Sequence, residues 1–398
     1  MKINRKLISL VLAGVISSGF LVGCSSTSDK GESNSGKEKT FVYGTSAYNP
    51  SLAGINPHKG YLGWAAIRYG VAETLFKFNE NMELEPWLAT DYEVVDDYTM
   101  KINLRDDVTF SNGNKMTGDA VKACIESLVK LHDRAPSDLA IVSVDADGQS
   151  ITIKSKNKVV NLLNYLSDPY AVIIDVSDFD EAGDTCIGTG PFIAKSVTGE
   201  EIKLDKNENY WGGEVKLDKV VVKSITDGDT MTMALQNGEI DATQGLPYSS
   251  LDLFKENDQY KISTANTSRV YQMAYNYDNK DLQDKKVRQA IAKAINKEDF
   301  TKTLLNGNGS PAVGAFPSNF SFGNEAVKGD DYDLEAAKKL LKEAGYEDTD
   351  NDGYVDKDGK NLTLRWLTYP SRMELPLLAE SAQASLKEIG IKVDVNST

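Results

Sequence analysis

From residue 40 onward the chain switches repeatedly between two kinds of apolar spacing. Residues 40–45, 92–95, 99–104, 141–144, 150–154, 220–224, 270–276, 362–367 and 391–395 are short alternating or β-branched runs, which predicts strands. Residues 63–77 set Trp64, Ile67, Val71 and Leu75 at three- and four-residue steps with Arg68 off that face, which predicts one long helix. Helices are also predicted over 120–131, 229–237, 285–295, 334–344 and 376–389. Thr117 stands as an N-cap, and Gly238, Gly345 and Gly390 as stop signals. Turns are marked by Asn56-Pro57-His58, Asp96-Asp97, Ser111-Asn112-Gly113 and Asp147-Gly148. There is no internal repeat, and strands mix with helices throughout. That pattern predicts α/β lobes rather than a sandwich or a helical bundle.

The first 39 residues follow another rule. Lys2, Arg5 and Lys6 precede an apolar, small-residue run over 7–22, the layout of an export signal at 1–23. Residues 25–39 contain no apolar side chain, so they have nothing to bury and read as a flexible tether. Between them, Leu21-Val22-Gly23-Cys24 resembles the lipobox of bacterial lipoproteins. The resemblance implies cleavage before Cys24 and a lipid on its thiol, anchoring the protein to the outer face of the cytoplasmic membrane. Each buried methylene of such a chain adds about 0.8 kcal/mol of membrane affinity.

Composition narrows the chemistry. A net charge of −15 argues against nucleic acid, which needs a basic face. Cys124 and Cys186 remain once Cys24 is assigned, and they read as two buried free thiols rather than a disulfide framework. His58 and His132 are the only histidines and neither has a Cys or Glu cluster in its sequence neighbourhood, so no direct metal site or cofactor is expected. Asp348, Asp350, Asp352 and Asp356 copy positions 1, 3, 5 and 9 of a calcium loop, but position 12 is Gly359 in place of the bidentate Glu. They stand as a weak calcium candidate, and an acidic Asx-turn loop between helix and strand is the preferred reading. No nucleophile elbow, zinc-protease, Walker or dinucleotide motif occurs, so no enzyme is expected.

A series of landmarks in fixed order carries a wider resemblance. They are Leu75-Phe76, Pro86-Trp87-Leu88-Ala89, the stretch from Leu104 to Gly113, Gly188-Thr189-Gly190-Pro191-Phe192, and Asn207 through Tyr210-Trp211 to Gly213. Gly238-Glu239-Ile240-Asp241, Val287-Arg288-Gln289-Ala290-Ile291 and Ile389-Gly390-Ile391-Lys392-Val393 follow. Together these resemble the family 5 solute-binding proteins of ABC importers, over residues 41–398. The resemblance implies a two-lobed, type II periplasmic-binding clamp that closes on a solute and shifts between open and closed states with its ligand. It places lobe I at 40–269, with an inserted α/β subdomain at about 78–188, and part of lobe II at 270–398. Members of the family usually run further, so the second lobe is expected to be incomplete at Thr398.

The same resemblance implies the partners: a small solute, a membrane permease and its ATPase, with the binding protein a monomer. Residues 63–75 and the stretch from His132 through Arg134 to Gln149 are similar to the nickel-binding branch, which takes a metal already wrapped in a carboxylate-bearing chelator. Arg134 falls where a pocket arginine of that branch would lie, whereas Asp168-Pro169 is followed by Tyr170 instead of a second arginine. The solute is therefore read as a nickel chelate or as a di- or oligopeptide. The ligand-binding candidates are Arg134, Trp64, Tyr369 and Arg372, the last two in a loop after a strand. Arg134 has an alternative as a surface ion pair with Asp133 or Asp138, and Trp64 as a core residue. A peptide or pheromone sensor, or a surface adhesin, on the same clamp is the other reading.

Overall fold

The computed structural model describes residues 38–46, 54–181, 183–265, 267, 269–317, 327–370 and 372–398. The expected signal, Cys24 and all of the tether but its last two residues lie outside the described residues. The fold is mixed α/β, and among the described residues no helix is long and apolar enough to cross a membrane.

A five-stranded sheet runs in the order Ala242–Gln244, Thr40–Thr45, Lys219–Ser224, Glu201–Lys206, Phe192–Val197. Thr40–Thr45 pairs in parallel with both of its neighbours, and the rest of the sheet is antiparallel. The alternation that marked residues 40–45 sends Phe41 and Tyr43 toward the largest apolar core, while Val42 packs with Met231 and Ile240 in a smaller one. A second, antiparallel sheet orders Ala89–Asp96, Thr99–Leu104, Ser150–Ser155 and Ile141–Asp147, with tight turns at the two acidic dipeptides named above. Helix Gly118–Leu131 covers it, and Thr117 Oγ1 accepts the Ala120 N–H at 3.3 Å, the cap expected of it.

Beyond residue 280 a separate apolar core forms. Helices Lys285–Ala294, Leu334–Glu343 and Glu374–Lys387 pack with the parallel pair Thr363–Thr368 and Lys392–Ser397. Val287, Ala290, Ile291 and Ala294 form one buried helical face, as the spacing requires.

Two expectations need correction. The helix predicted over 63–77 stops at Arg68. Gly70 turns the chain at φ +70°, and Val71–Leu75 runs extended beneath the Gly188–Phe192 turn, so its apolar residues are buried from both sides rather than along one helical stripe. The run 270–276 keeps its alternation, with Met273 and Tyr275 packed on the second core, but has no strand ladder among the described residues. Its spacing gave the inward face; a strand needs a neighbour as well.

Candidate functional site

Three segments far apart in sequence meet around His132. Its Nε2 donates to the Gly60 carbonyl at 2.9 Å, and its Nδ1 accepts the Arg134 and Ala135 N–H groups at 3.1 and 3.3 Å. Those partners fit the tautomer with its hydrogen on Nε2. The ring stacks on Tyr170 at 4.8 Å between centroids. Beside it, a Cβ placed on Gly63 would lie 2.2 Å from the Pro169 carbonyl oxygen, so the start of helix Gly63–Arg68 touches the 169–170 backbone directly.

That contact sets which way the helix faces. Gly63, Ala66 and Tyr69 turn inward, leaving Trp64 48% exposed with the Arg68 guanidinium 5.8 Å from its ring centroid. The core alternative for Trp64 is thereby overturned: the buried stripe is one residue out of register with it. Arg134 lies over the Tyr170 ring at 5.2 Å and pairs with Asp138 at 3.1 Å and Asp168 at 3.5 Å. The Asp138 alternative is thus met, with Asp168 added and Asp133 not taking part. Tyr170 Oη donates to Asp138 at 3.3 Å, and burial followed by the nearby carboxylates raises its pKa. Helix Gly63–Arg68, through Gly63, and the Arg134 side chain therefore both pack on Tyr170, the one on its backbone and the other over its ring.

Tyr369 and Arg372 form a separate place. Both are exposed, between strand Thr363–Thr368 and helix Glu374–Lys387. The loop meets the start of helix Gly228–Gln236, where a Cβ on Gly228 would lie 2.8 Å from Met373 Sδ. Tyr271 Oη donates to Glu374 Oε1 at this junction. Among the described residues no hydrogen bond or ion pair joins this loop to Trp64 or to Arg134.

The acidic loop splits. Asp348, Asp350 and Asp352 bring carboxylate oxygens within 4.8 Å of one another, all exposed. Asp356 does not join them: it is buried, and its Oδ2 accepts from Thr349 N at 2.8 Å and Oγ1 at 2.7 Å. As a ligand of this loop Asp356 is corrected to an internal cap. Cys124 and Cys186 are buried and free, and burial pushes both thiols up to about 12.

Several residues with strong polar roles carry no single-residue signal. Glu73 is 1% exposed and accepts from Thr189 Oγ1 at 2.8 Å, Tyr210 Oη at 2.7 Å and Trp211 Nε1 at 2.7 Å. Burial raises its pKa, and the three donors act against that rise. The landmark stretches 188–192 and 207–213 are thus fastened to one carboxylate. His58 is buried against Phe179, with Nδ1 3.2 Å from Ser127 Oγ and no partner for Nε2 among the described residues. Burial, with His132 nearby, lowers its pKa to about 4. A cleft of about 300 Å³ opens beside Ser127 and Phe179 and holds the Lys130–Glu181 ion pair.

Comparison with known proteins gives this arrangement its class. Residues 83–398 match the model for bacterial extracellular solute-binding proteins, family 5 Middle, and the chain belongs to that family. It is 30% identical over 332 residues to the nickel-binding protein NikA of Staphylococcus aureus, covering 83% of this chain and 65% of that one. Its fold is similar to NikA from Brucella suis, solved in complex with Fe(III)-EDTA (TM-score 0.82, 27% identity, 91% of this chain, 75% of the other). It is also similar to the oligopeptide-binding protein AppA of Bacillus subtilis, solved with a nonapeptide (TM-score 0.75, 25% identity, 91% and 75%). The chain spans 62–65% of the length of these first curated relatives. The fold is accordingly that of the type II, two-lobed binding proteins.

Proposed function

We propose that the protein captures a small carboxylate-bearing solute outside the cytoplasm and passes it to the permease and ATPase of an ABC importer. The solute is a nickel–chelator complex or, as the second member of the same reading, a di- or oligopeptide. The observation that carries this is the outward face of helix Gly63–Arg68. On a chain of net charge −15 it sets an exposed indole beside the Arg68 guanidinium. Guanidinium forks pair bidentately with carboxylates, and an exposed aromatic ring takes the apolar or planar part of a ligand. Nickel is placed first because the NikA relative is named a nickel-binding protein; the peptide member rests on AppA.

On this reading lobe I spans residues 40–269, with the inserted subdomain near 78–188, and lobe II begins at 270. Tyr369 and Arg372 contribute from the second lobe, and a lipid on Cys24 keeps the protein at the membrane as a monomer. The solute brings its own metal, so no resident cofactor is required.

Native mass spectrometry of the protein extracted from its host, followed by titration with Ni(L-His)2 and with tripeptides, tests the proposal. A bound species with nickel's isotope pattern supports the chelate, and a mixture of small peptide masses supports the peptide. A protein that emerges empty and takes up neither in titration removes both.

A further inference from the structure

We propose that Arg68, resting over Trp64, receives the carboxylate of the solute, and that Arg134, held by Asp138 and Asp168, does not. This rests on the reading that a carboxylate-bearing solute binds here. The sequence pointed to Arg134, but the structure gives the two cations different surroundings. Arg134 already faces Asp138 at 3.1 Å and Asp168 at 3.5 Å, so its surroundings carry one negative charge too many before any ligand arrives. A third carboxylate would meet two like charges at close range. Arg68 is exposed and, among the described residues, has no carboxylate within ion-pair distance. Its charge is felt by the half-buried Tyr43 phenol, whose pKa burial raises and Arg68 partly brings back.

The platform is also held in place. Gly63 is locked against Pro169, and the buried Ala66 and Tyr69 fix the opposite face of the helix. Trp64 and Arg68, one helical turn apart, therefore stand outward on a rigid element, as a preorganised receptor requires. Arg372 also lacks a carboxylate partner among the described residues, but no aromatic ring lies beneath it there. The ligand chemistry that fits Arg68 and Trp64 is a carboxylate next to a planar or apolar group. An amino-acid chelator on a metal offers that, and so does the C-terminal residue of a peptide.

The test is arginine modification of the intact protein by phenylglyoxal, with the sites located by peptide mass mapping. Arg68 is expected to react about fivefold faster than the ion-paired Arg134. Succinate should shield it and uncharged dimethyl succinate should not. Shielding by Ni(L-His)2 points to the chelator as the source of the carboxylate. Shielding by a tripeptide with a free but not an amidated C terminus points to the peptide. In titration with whichever ligand binds, Arg68→Ala should lose about 10–100-fold in affinity, and Arg68→Lys should not restore it, because the fork is missing. Because the shielding experiment uses the protein without substitution, it holds even if Arg68→Ala misfolds.

Failure of any carboxylate to shield Arg68, or shielding of Arg134 in its place, overturns the assignment. If succinate shields Arg68 while neither Ni(L-His)2 nor any tripeptide binds, the assignment stands and the functional reading falls. If one of them binds and leaves Arg68 unshielded, the reading stands and the assignment falls.

Discussion

Glu73 shows how much one side chain decides here. Its three donors come from the two landmark turns, so removing the carboxylate strands the buried Thr189 hydroxyl and the half-buried Tyr210 and Trp211 donors. Glu73→Ala should cost about 3–5 kcal/mol, and Glu73→Gln, which keeps an acceptor oxygen, clearly less. Urea unfolding midpoints of the two variants check this; equal losses would mean that the hydrogen bonds do not stabilise the junction. His58 gives a pH dependence. Its folded pKa is about 4, below its ordinary value of 6.5. The unfolded chain therefore takes up the proton first, and stability falls as pH drops from about 6.5 toward about 4. The groups facing the ring are Ser127, Phe179, His132 and Glu181. At full extent the loss amounts to about 3 kcal/mol. His58→Gln should flatten that part of the stability–pH curve, and an unchanged slope would locate the dependence in other groups.

At the scale of elements, boundaries were read best where a local device sets them. Thr117 caps its helix, and Asp333 caps the next core helix by accepting the Ala336 N–H at 2.9 Å. Asp333→Ala should cost about 1 kcal/mol, measurable as a small fall in Tm without loss of binding. The helix start at Gly63 makes a sharper case. With the Pro169 carbonyl 2.2 Å from where a Cβ would sit, Gly63→Ala must push the helix off its neighbour. Expected outcomes are a loss of roughly 2 kcal/mol or more, in the range of overpacked sites, and weaker ligand binding through displacement of Trp64 and Arg68. Normal affinity in a stably folded Gly63→Ala protein would detach this helix from the site. The same helix was overpredicted because its apolar spacing continues past Gly70. Residues buried from two sides look periodic whatever their backbone does.

For the molecule as a whole, the two larger apolar cores occupy separate stretches of sequence, residues 55–222 and 282–393. Leu341 is 1% exposed in the second of them. Leu341→Ala should cost about 2–5 kcal/mol. Hydrogen exchange should then quicken in helices Lys285–Ala294, Leu334–Glu343 and Glu374–Lys387 before it does in the sheet containing Thr99–Leu104. Uniform acceleration across both would show that the cores unfold as one.

The sequence by itself determined the fold class, most strands and helices, the caps and turns, and the landmarks that mark the family. Each of these depends on neighbours a few residues apart, where spacing and turn chemistry act directly. Tertiary structure decided which of those pieces share a surface. It turned Trp64 outward, gave Arg134 two carboxylates and Arg68 none, withdrew Asp356 into its own loop, and gathered Thr189, Tyr210 and Trp211 onto Glu73. The Arg134–Asp138 pair, one helical turn apart, was legible in the sequence, and Asp356 turns to Thr349 only seven residues away. The rest is not local: Glu73 and Trp211 meet at a separation of 138 residues, and which side of a helix is buried depends on what packs against it.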